Sequence, residues 1–140
     1  MNKIIYLLFP VIIFSSCSKE EEKFELFSPE AYAFSIGDEW ELNASCRAKG
    51  FIQQETYNNY SAKLSFNANL QTPDGNLLKN ISEGIIDKSN NERIMDVEIE
   101  VQVQLDKSYQ SGKYKIILNV TDDLSQKTLS IEKEFELTID

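Results

Sequence analysis

The chain lacks the side chains on which most enzymes depend. Its 140 residues include no histidine, which is the commonest general base and the commonest ligand of transition metals in proteins. Serine–histidine and cysteine–histidine mechanisms are therefore excluded for this chain. It also contains no glycine-rich phosphate loop, no zinc-type cysteine spacing and no EF-hand sequence. The sequence predicts no catalytic residue, no metal site and no cofactor.

Carboxylates remain as candidates for acid–base chemistry. Glu98 and Glu100 lie two residues apart, and so do Glu132, Glu134 and Glu136. Residues spaced by two share one face of a β-strand, and these alternate with apolar residues. Such a pattern is typical of the solvated face of a sheet, and we do not expect an enzyme.

Two weaker patterns point to ligand binding. Asp122 and Asp123 follow an apolar strand pattern in a setting that resembles the ends of calcium-binding loops in cadherin-like domains. Carboxylate oxygens suit Ca²⁺, but without further ligands a solvated hairpin loop over residues 122–126 is the preferred interpretation.

The second pattern is a group of aromatic and amide residues that could contact a sugar. Its members are Phe51, Tyr57, Asn58, Asn59 and Tyr60. Aromatic faces and amide groups both bind sugars, but a strand followed by a packed loop explains the same residues. We prefer the second interpretation.

Residues 1–16 have the composition of a secretory signal peptide. Lys3 precedes an apolar run from Ile4 to Phe14, and the small residues Ser15 and Ser16 follow at the cleavage position. The run is about ten residues long, whereas a membrane-spanning helix needs about 20. We expect this segment to be removed.

Cys17 comes directly after Phe14, Ser15 and Ser16, and this arrangement resembles the bacterial lipobox. The resemblance implies that Cys17 becomes the first mature residue and carries a diacylglyceryl thioether and an acylated amine. Each buried methylene contributes about 0.8 kcal/mol, so several acyl chains such as palmitate hold a protein almost permanently at a membrane. We expect an outer-membrane protein anchored by this lipid.

The residues after Cys17 are strongly charged and offer nothing to bury, which predicts a solvated tether over 17–23. Acidic residues directly after a lipidated cysteine also resemble the surface-export signal of Bacteroidota lipoproteins. That resemblance implies a cell-surface location, while retention on the periplasmic side stays open. The residues it assigns to the export signal are Ser18, Lys19, Glu20, Glu21 and Glu22.

Residues 24–140 are expected to form one domain, because this length suffices for a single hydrophobic core. Alternation with period two dominates and is clearest in 39–49, 60–70 and 113–121. About seven strands and no helix are counted. Two stacked sheets bury the apolar faces that one sheet would leave wet. We therefore predict an all-β, immunoglobulin-like antiparallel β-sandwich, with a small closed barrel as the alternative.

Several segments are less regular. Residues 24–35 are interpreted as an edge strand or its lead-in, interrupted at Ser28 and Pro29. Residues 77–87 fit neither period and are expected to form a short strand with irregular structure, in which a helical turn stays open, followed by a loop at 89–91. Residues 93–105 show the longest alternation, in which Met95 belongs to the apolar face, and we expect a bulge or a bend within it. The C-terminal sequence from 111 to 139 resembles the closing hairpin of immunoglobulin-like modules common in Bacteroidota lipoproteins.

Cysteine count and charge narrow the possibilities further. With Cys17 lipidated, Cys46 has no partner for a disulfide, and its place in an apolar register predicts a buried thiol. A net charge of −9 disfavours nucleic acid as a partner. The sequence thus predicts a non-catalytic, lipid-anchored interaction or accessory module for a protein or glycan partner. A periplasm-facing structural subunit of an envelope assembly and a glycan-binding module are the alternatives.

Overall fold

The computed structural model describes residues 22–138, which form eight β-strands and no helix. Within this range no helix therefore qualifies as a candidate membrane span. The strands in chain order are β1 (Glu25–Ile36), β2 (Glu39–Lys49), β3 (Gln54–Thr56), β4 (Asn59–Gln71), β5 (Leu77–Asn90), β6 (Asp96–Asp106), β7 (Gly112–Asp122) and β8 (Lys127–Leu137).

The strands form two antiparallel sheets. Sheet A has the order β1-β2-β6, and sheet B has the order β5-β4-β7-β8. The short strand β3 pairs with the first residues of β4, on the edge of β4 that β7 uses further along. The predicted immunoglobulin-like β-sandwich is confirmed. Eight strands are found where about seven were expected, because the three-residue strand β3 carries no alternation that a sequence could reveal.

The core lies between the sheets and is built from the apolar face of each strand. Because side chains alternate across a strand, every second residue of β2, β4, β6 and β7 points inward. Fully burying one large apolar side chain contributes about 1.5–3 kcal/mol. The least exposed of these residues are Leu42, Cys46, Ala48, Leu64, Ala68, Leu70, Ile99, Ile116 and Val120.

Strand β1 is an edge strand with an interruption where the sequence predicted one. Its register against β2 shifts between Phe27 and Glu30, and Ser28 adopts a φ of 51°. Pro29 has no N–H to donate to a ladder, so it is tolerated at this irregular point of an edge.

Strand β5 corrects two expectations. It is one strand of 14 residues that includes Ser89 and Asn90, so the predicted short strand and the predicted loop at 89–91 are wrong. Ala68 of β4 pairs with Ser82, whereas Leu70 pairs with Leu78, so β5 contains a bulge.

The bulge adds two residues to β5, so Leu78, Ser82 and Ile86 keep the same face. Ile81 within the bulge is also half-buried, and Leu77 and Ile85 are exposed on the other face. Apolar residues thus occur on both faces, which is why residues 77–87 fit neither period.

Strand β6 also differs from expectation. It begins at Asp96 and pairs with β2 without a register shift, so the predicted bulge is wrong. Met95 is 67% exposed, while Ile94 is buried in its place. The backbone of Ile94 donates to Gln53 Oε1 at 2.8 Å and accepts from Gln53 Nε2 at 2.9 Å. These two bonds hold residues 94–95 outside the β6 ladder. Ile94 therefore faces the core and Met95 faces solvent, the reverse of what the alternation predicted.

Candidate functional site

The carboxylates that could have served acid–base chemistry lie apart on the outer faces of the two sheets. Glu98 and Glu100 are exposed on sheet A, and Glu132, Glu134 and Glu136 are exposed on sheet B, as predicted for solvated faces. Some of them face cations across the ladder, as Glu132 Oε1 does with the ammonium of a β7 lysine at 3.4 Å. Within residues 22–138 no group of three or more histidine, cysteine or acidic side chains is placed to hold a metal ion.

Cys46 is a buried free thiol, as predicted. Its side chain has no exposed surface, and burial raises the pKa of the thiol to about 11. The nucleophilic thiolate is therefore scarce at neutral pH, because the apolar surroundings disfavour the charged form.

Asp122 corrects the expectation of a solvated loop. It is the last residue of β7 and is only 1% exposed, the one buried charged residue of the described chain. Its Oδ2 accepts the backbone N–H of Ile52 at 2.9 Å and the hydroxyl of Ser125 at 2.8 Å. Its Oδ1 accepts the N–H of Leu124 at 3.2 Å. Asp122 thus joins the β7–β8 hairpin to the β2–β3 connection.

The two aspartates of the suspected calcium loop do not act together. Asp123 Oδ1 accepts the hydroxyl of Ser65 on β4 at 2.7 Å, whereas Asp122 turns to Ile52. Asp122 ends β7 with its side chain buried, whereas Asp123 is the first residue of the turn and bonds to a side chain of β4. The two carboxylates therefore diverge, and each already accepts protein donors. The arrangement stabilises the hairpin and offers no shared cation site.

The suspected sugar-binding aromatic residues are also separated. Phe51 is 2% exposed and belongs to the core, whereas Tyr57 is fully exposed. Tyr57 and Asn58 form the two-residue turn between β3 and β4, with φ values of 48° and 61°. The Tyr60 hydroxyl donates to Glu55 Oε1 at 3.2 Å on the adjacent strand, and this contact raises the Tyr60 pKa. No aromatic cleft results from these three residues.

The residues assigned to the anchor and the export signal lie mainly outside the described range. Cys17, Ser18, Lys19, Glu20 and Glu21 precede it. Glu22 is its first residue and is exposed.

The outer face of sheet A carries an exposed apolar row that sequence reasoning missed. It consists of Tyr32, Phe34 and Ile36 on β1, which are 58%, 42% and 48% exposed. The rings of Tyr32 and Phe34 are stacked, with centroids 6.3 Å apart and an interplanar angle of 17°. We call these residues the aromatic row. The sequence could have indicated this row, because β1 is apolar on both faces. Ala31 and Ala33 face the core, so the apolar residues that alternate with them must lie on the outer face.

Acidic and amide side chains adjoin the aromatic row. Phe34 pairs with Glu41 of β2 and Ile36 pairs with Glu39, and the next strand adds Gln104 opposite Glu41. Other members of this acidic border are Glu30, Glu100 and Asp106. An open depression of about 460 Å³ lies where Glu30, Tyr32, Asn43 and Glu100 meet.

Cations on sheet A are engaged with other groups. Arg47 pairs with Asp96 and with Glu98, the latter at 3.8 Å, and Lys49 lies 3.5 Å from Glu25. These pairs lie toward the start of β1 and away from the aromatic row. Among residues 22–138 no ion pair is formed by Glu30, Glu39, Glu41, Glu100 or Asp106. Lys107 lies nearer the row, where its ammonium donates to the Ser35 hydroxyl at 2.8 Å and lies over the ring of Trp40. The aromatic row is therefore bordered by carboxylates that have no ion-pair partner, with Lys107 as a nearby cation.

The outer face of sheet B is polar and mostly uncharged at its centre. Asn119 Nδ2 donates to Asn67 Oδ1 at 2.8 Å, and the Ser130 hydroxyl donates to Asn119 Oδ1 at 2.5 Å. These bonds join β4, β7 and β8 across the surface. A shallow depression of about 590 Å³ lies beside them and is also lined by Glu83 and Ile85 of β5.

Comparisons with known proteins are sparse. No protein-family model matches the chain, and no curated protein sequence matches it. Among solved structures, it is similar to a family 123 glycoside hydrolase from Clostridium perfringens, whose structural analysis concerned glycolipid glycan hydrolysis. The TM-score is 0.46 and the sequence identity 14%, over 76% of this chain and 22% of that chain. The chain thus spans less than a quarter of the hydrolase.

Proposed function

We propose that this protein is a non-catalytic, lipid-anchored module of a bacterial outer membrane that binds a cationic segment of a partner protein. The aromatic row on the outer face of sheet A is the observation that carries the proposal. The anchor is the lipid on Cys17, and the signal at residues 18–22 directs the domain to the cell surface.

The aromatic row has the character of an interface core. Aromatic side chains are enriched at the centres of protein interfaces and supply a large share of the binding energy there. Tyr32 and Phe34 are already stacked on each other, so binding costs little side-chain entropy for these two rings. Strand β1 has no ladder partner besides β2, but it packs beside β8, so a partner reaches the row from above the sheet.

Charge selects the class of partner. The carboxylates of the acidic border form no ion pair among the described residues, since the ion pairs of sheet A lie elsewhere and the ammonium of Lys107 is engaged with Ser35 and Trp40. Lysine and arginine favour positions near carboxylates, and their charged groups also favour the faces of aromatic rings. A partner segment rich in lysine or arginine with apolar residues between them would satisfy both features.

The absence of catalytic machinery supports a binding role. The chain has no histidine, the carboxylates of the described residues are dispersed over solvated faces, and the Cys46 thiol is buried.

Binding is tested with synthetic peptides of equal length that are cationic, neutral or acidic, all with the same apolar residues. Fluorescence anisotropy should show binding of the cationic peptide, weakening as salt rises. Replacing Phe34 by serine should weaken it about tenfold, as expected for an interface aromatic worth above 1 kcal/mol. Ile85→Ser on sheet B is the matched control, since Ile85 is exposed to 67%, and it should leave binding unchanged. Equal binding of all three peptides would refute the preference for a cationic partner, and equal effects of the two substitutions would show that the aromatic row is not the binding surface.

The anchor and the location are tested in cells. Radiolabelled palmitate should enter the wild-type protein and not a Cys17→Ser variant. Protease added to intact cells should cleave the wild type, and substituting glutamine at Glu20, Glu21 and Glu22 should protect it. If both forms are protected while lysed cells show cleavage, the domain faces the periplasm and the partner belongs to an envelope assembly.

A glycan-binding module is the second candidate function. The depression on sheet B favours it, because the amides of Asn67 and Asn119 and the hydroxyl of Ser130 are groups that bond to sugar hydroxyls. Binding to a glycan array that is lost in Asn119→Ala and kept in Phe34→Ser would support this candidate over the first.

A further inference from the structure

One end of the sandwich gathers the start of the described chain and three connections between strands. The residues around a depression of about 450 Å³ show this directly, since Glu22, Phe24, Gly50, Arg93 and Ser125 all line it. They belong to the chain start, the β2–β3 connection, the β5–β6 connection and the β7–β8 hairpin. Because the tether enters here, we call this the tether end.

Hydrogen bonds hold the tether end together. Asp122 binds the N–H of Ile52 and the hydroxyl of Ser125, and Gln53 exchanges two bonds with the backbone of Ile94. The connections of this end are therefore fixed relative to one another.

The β3–β4 hairpin extends the same end. Strand β7 stops opposite Leu64 of β4, whereas β4 continues back to Asn59 with β3 and β5 on either side. The turn at Tyr57 and Asn58 is thus the tip of a projection beyond the sandwich.

Each of these four connections exposes a large apolar side chain. Ile52, Tyr57, Met95 and Leu124 are 53%, 100%, 67% and 46% exposed. We call them the tip residues. At the opposite end, the connections at 37–38, 72–76 and 107–111 expose no large apolar side chain among the described residues, although Ile36 and Leu77 at the adjoining strand ends are 48% and 46% exposed. Single exposed apolar residues are normal, but four on neighbouring connections at one end form a shared apolar tip.

We propose that the tip residues contact the lipid bilayer and orient the anchored domain on it. This inference rests on the proposed lipid anchor at Cys17. The segment from Cys17 to Phe24 reaches at most about 25 Å when fully extended, so the tether end stays close to the membrane. Tyrosine favours the membrane–water interface, and exposed apolar side chains insert at its acyl boundary.

The charges of the tether end indicate whether its contact with the bilayer depends on the charge of the lipids. Lys23, Arg93 and Lys127 line the depression together with Glu22 and the buried Asp122. Cations and anions are mixed, so no strong preference for lipid charge is expected. Apolar contact is the main attraction, and a neutral bilayer suffices.

The experiment uses the full mature protein with its lipid, reconstituted in vesicles of phosphatidylcholine with quencher-labelled acyl chains. Cys46 is buried, so an introduced cysteine takes up a fluorophore selectively. A label at Tyr57→Cys or Leu124→Cys should be quenched, and a label at Asp74→Cys in the turn of the opposite end should not. Replacing Ile52 and Met95 by serine should at least halve the quenching at position 57.

Two outcomes would overturn the inference, and they are distinguishable. Protein that floats with the vesicles but shows equally weak quenching at positions 57 and 74 would keep the anchor and refute the apolar contact. Protein that does not float with the vesicles would refute the anchor, and the inference with it.

Discussion

Replacing Asp122 by alanine is the sharpest test of how the tether end is built. Three donors would lose their acceptor, namely the N–H groups of Ile52 and Leu124 and the hydroxyl of Ser125. Hydrogen bonds to a charged acceptor contribute about 1.5–3 kcal/mol each, and an orphaned buried donor costs about 1–3 kcal/mol. Water can replace part of this bonding near the hairpin. We therefore expect the free energy of unfolding to fall by about 2–4 kcal/mol.

Two further substitutions calibrate that value. Asp122→Asn keeps the shape and one acceptor oxygen, so the loss should be about 1–2 kcal/mol. Asp123→Ala is the matched control, because the neighbouring carboxylate accepts only the Ser65 hydroxyl among the described side chains, and its loss should stay below about 1 kcal/mol.

Urea denaturation followed by far-ultraviolet circular dichroism measures all three variants. With a slope of about 2 kcal/mol per molar urea, the midpoint of Asp122→Ala should fall by about 1–2 M, with little change in slope. A midpoint shift no larger than that of Asp123→Ala would refute the reasoning, because it would show that the buried bonds of Asp122 contribute nothing net.

Two other predictions concern Gly50 and Cys46. Gly50 has a φ of 70°, and an added Cβ would lie 2.1 Å from the Lys23 carbonyl oxygen, so Gly50→Ala should lower the free energy of unfolding by at least about 2 kcal/mol. Gly75 is also at positive φ, but an added Cβ would have nothing within 4 Å. Gly75→Ala should therefore lower the free energy of unfolding by only about 1 kcal/mol in the same urea titration. Equal losses for the two substitutions would exclude a clash between the added Cβ of residue 50 and Lys23. Burial raises the Cys46 pKa from 9.0 to about 11, so the folded state favours the neutral thiol and stability should fall as pH rises from 9 toward 11. Cys46→Val should show a smaller decline, because the raised pKa values of Tyr60 and Tyr114 still lower stability in this range. A native thiol labelled rapidly at pH 8 would contradict the burial.

The strands that were predicted well are those whose evidence is local. β2 has the bounds Glu39–Lys49 that alternation indicated, and β7 lies within a residue of its predicted ends. Alternation reports which side of a strand meets the core, and it needs no knowledge of the partner strand. The interruption at Ser28 and Pro29 was equally local, since proline disrupts a ladder wherever it lies.

The predictions failed where the local structure depends on contacts with residues far away in the sequence. The bulge of β5 is stabilised across the ladder, since the N–H of Asn80 donates to Asn69 Oδ1 at 2.9 Å. Asp122 is buried because Ile52, far away in the sequence, supplies a backbone donor to it. Neither partner is visible in the local pattern, so a solvated loop was the natural expectation for Asp122.

The fold class, the edge character of β1 and the absence of histidine chemistry follow from the sequence, because composition and alternation with period two are local properties of the chain. Which surfaces remain exposed depends on how the sheets pack. The row of Tyr32, Phe34 and Ile36 is exposed because no third layer among the described residues covers sheet A. The tip residues form one apolar end because two crossovers between the sheets and two hairpins of sheet B meet there. Both depend on packing between segments far apart in the chain, which no local pattern encodes.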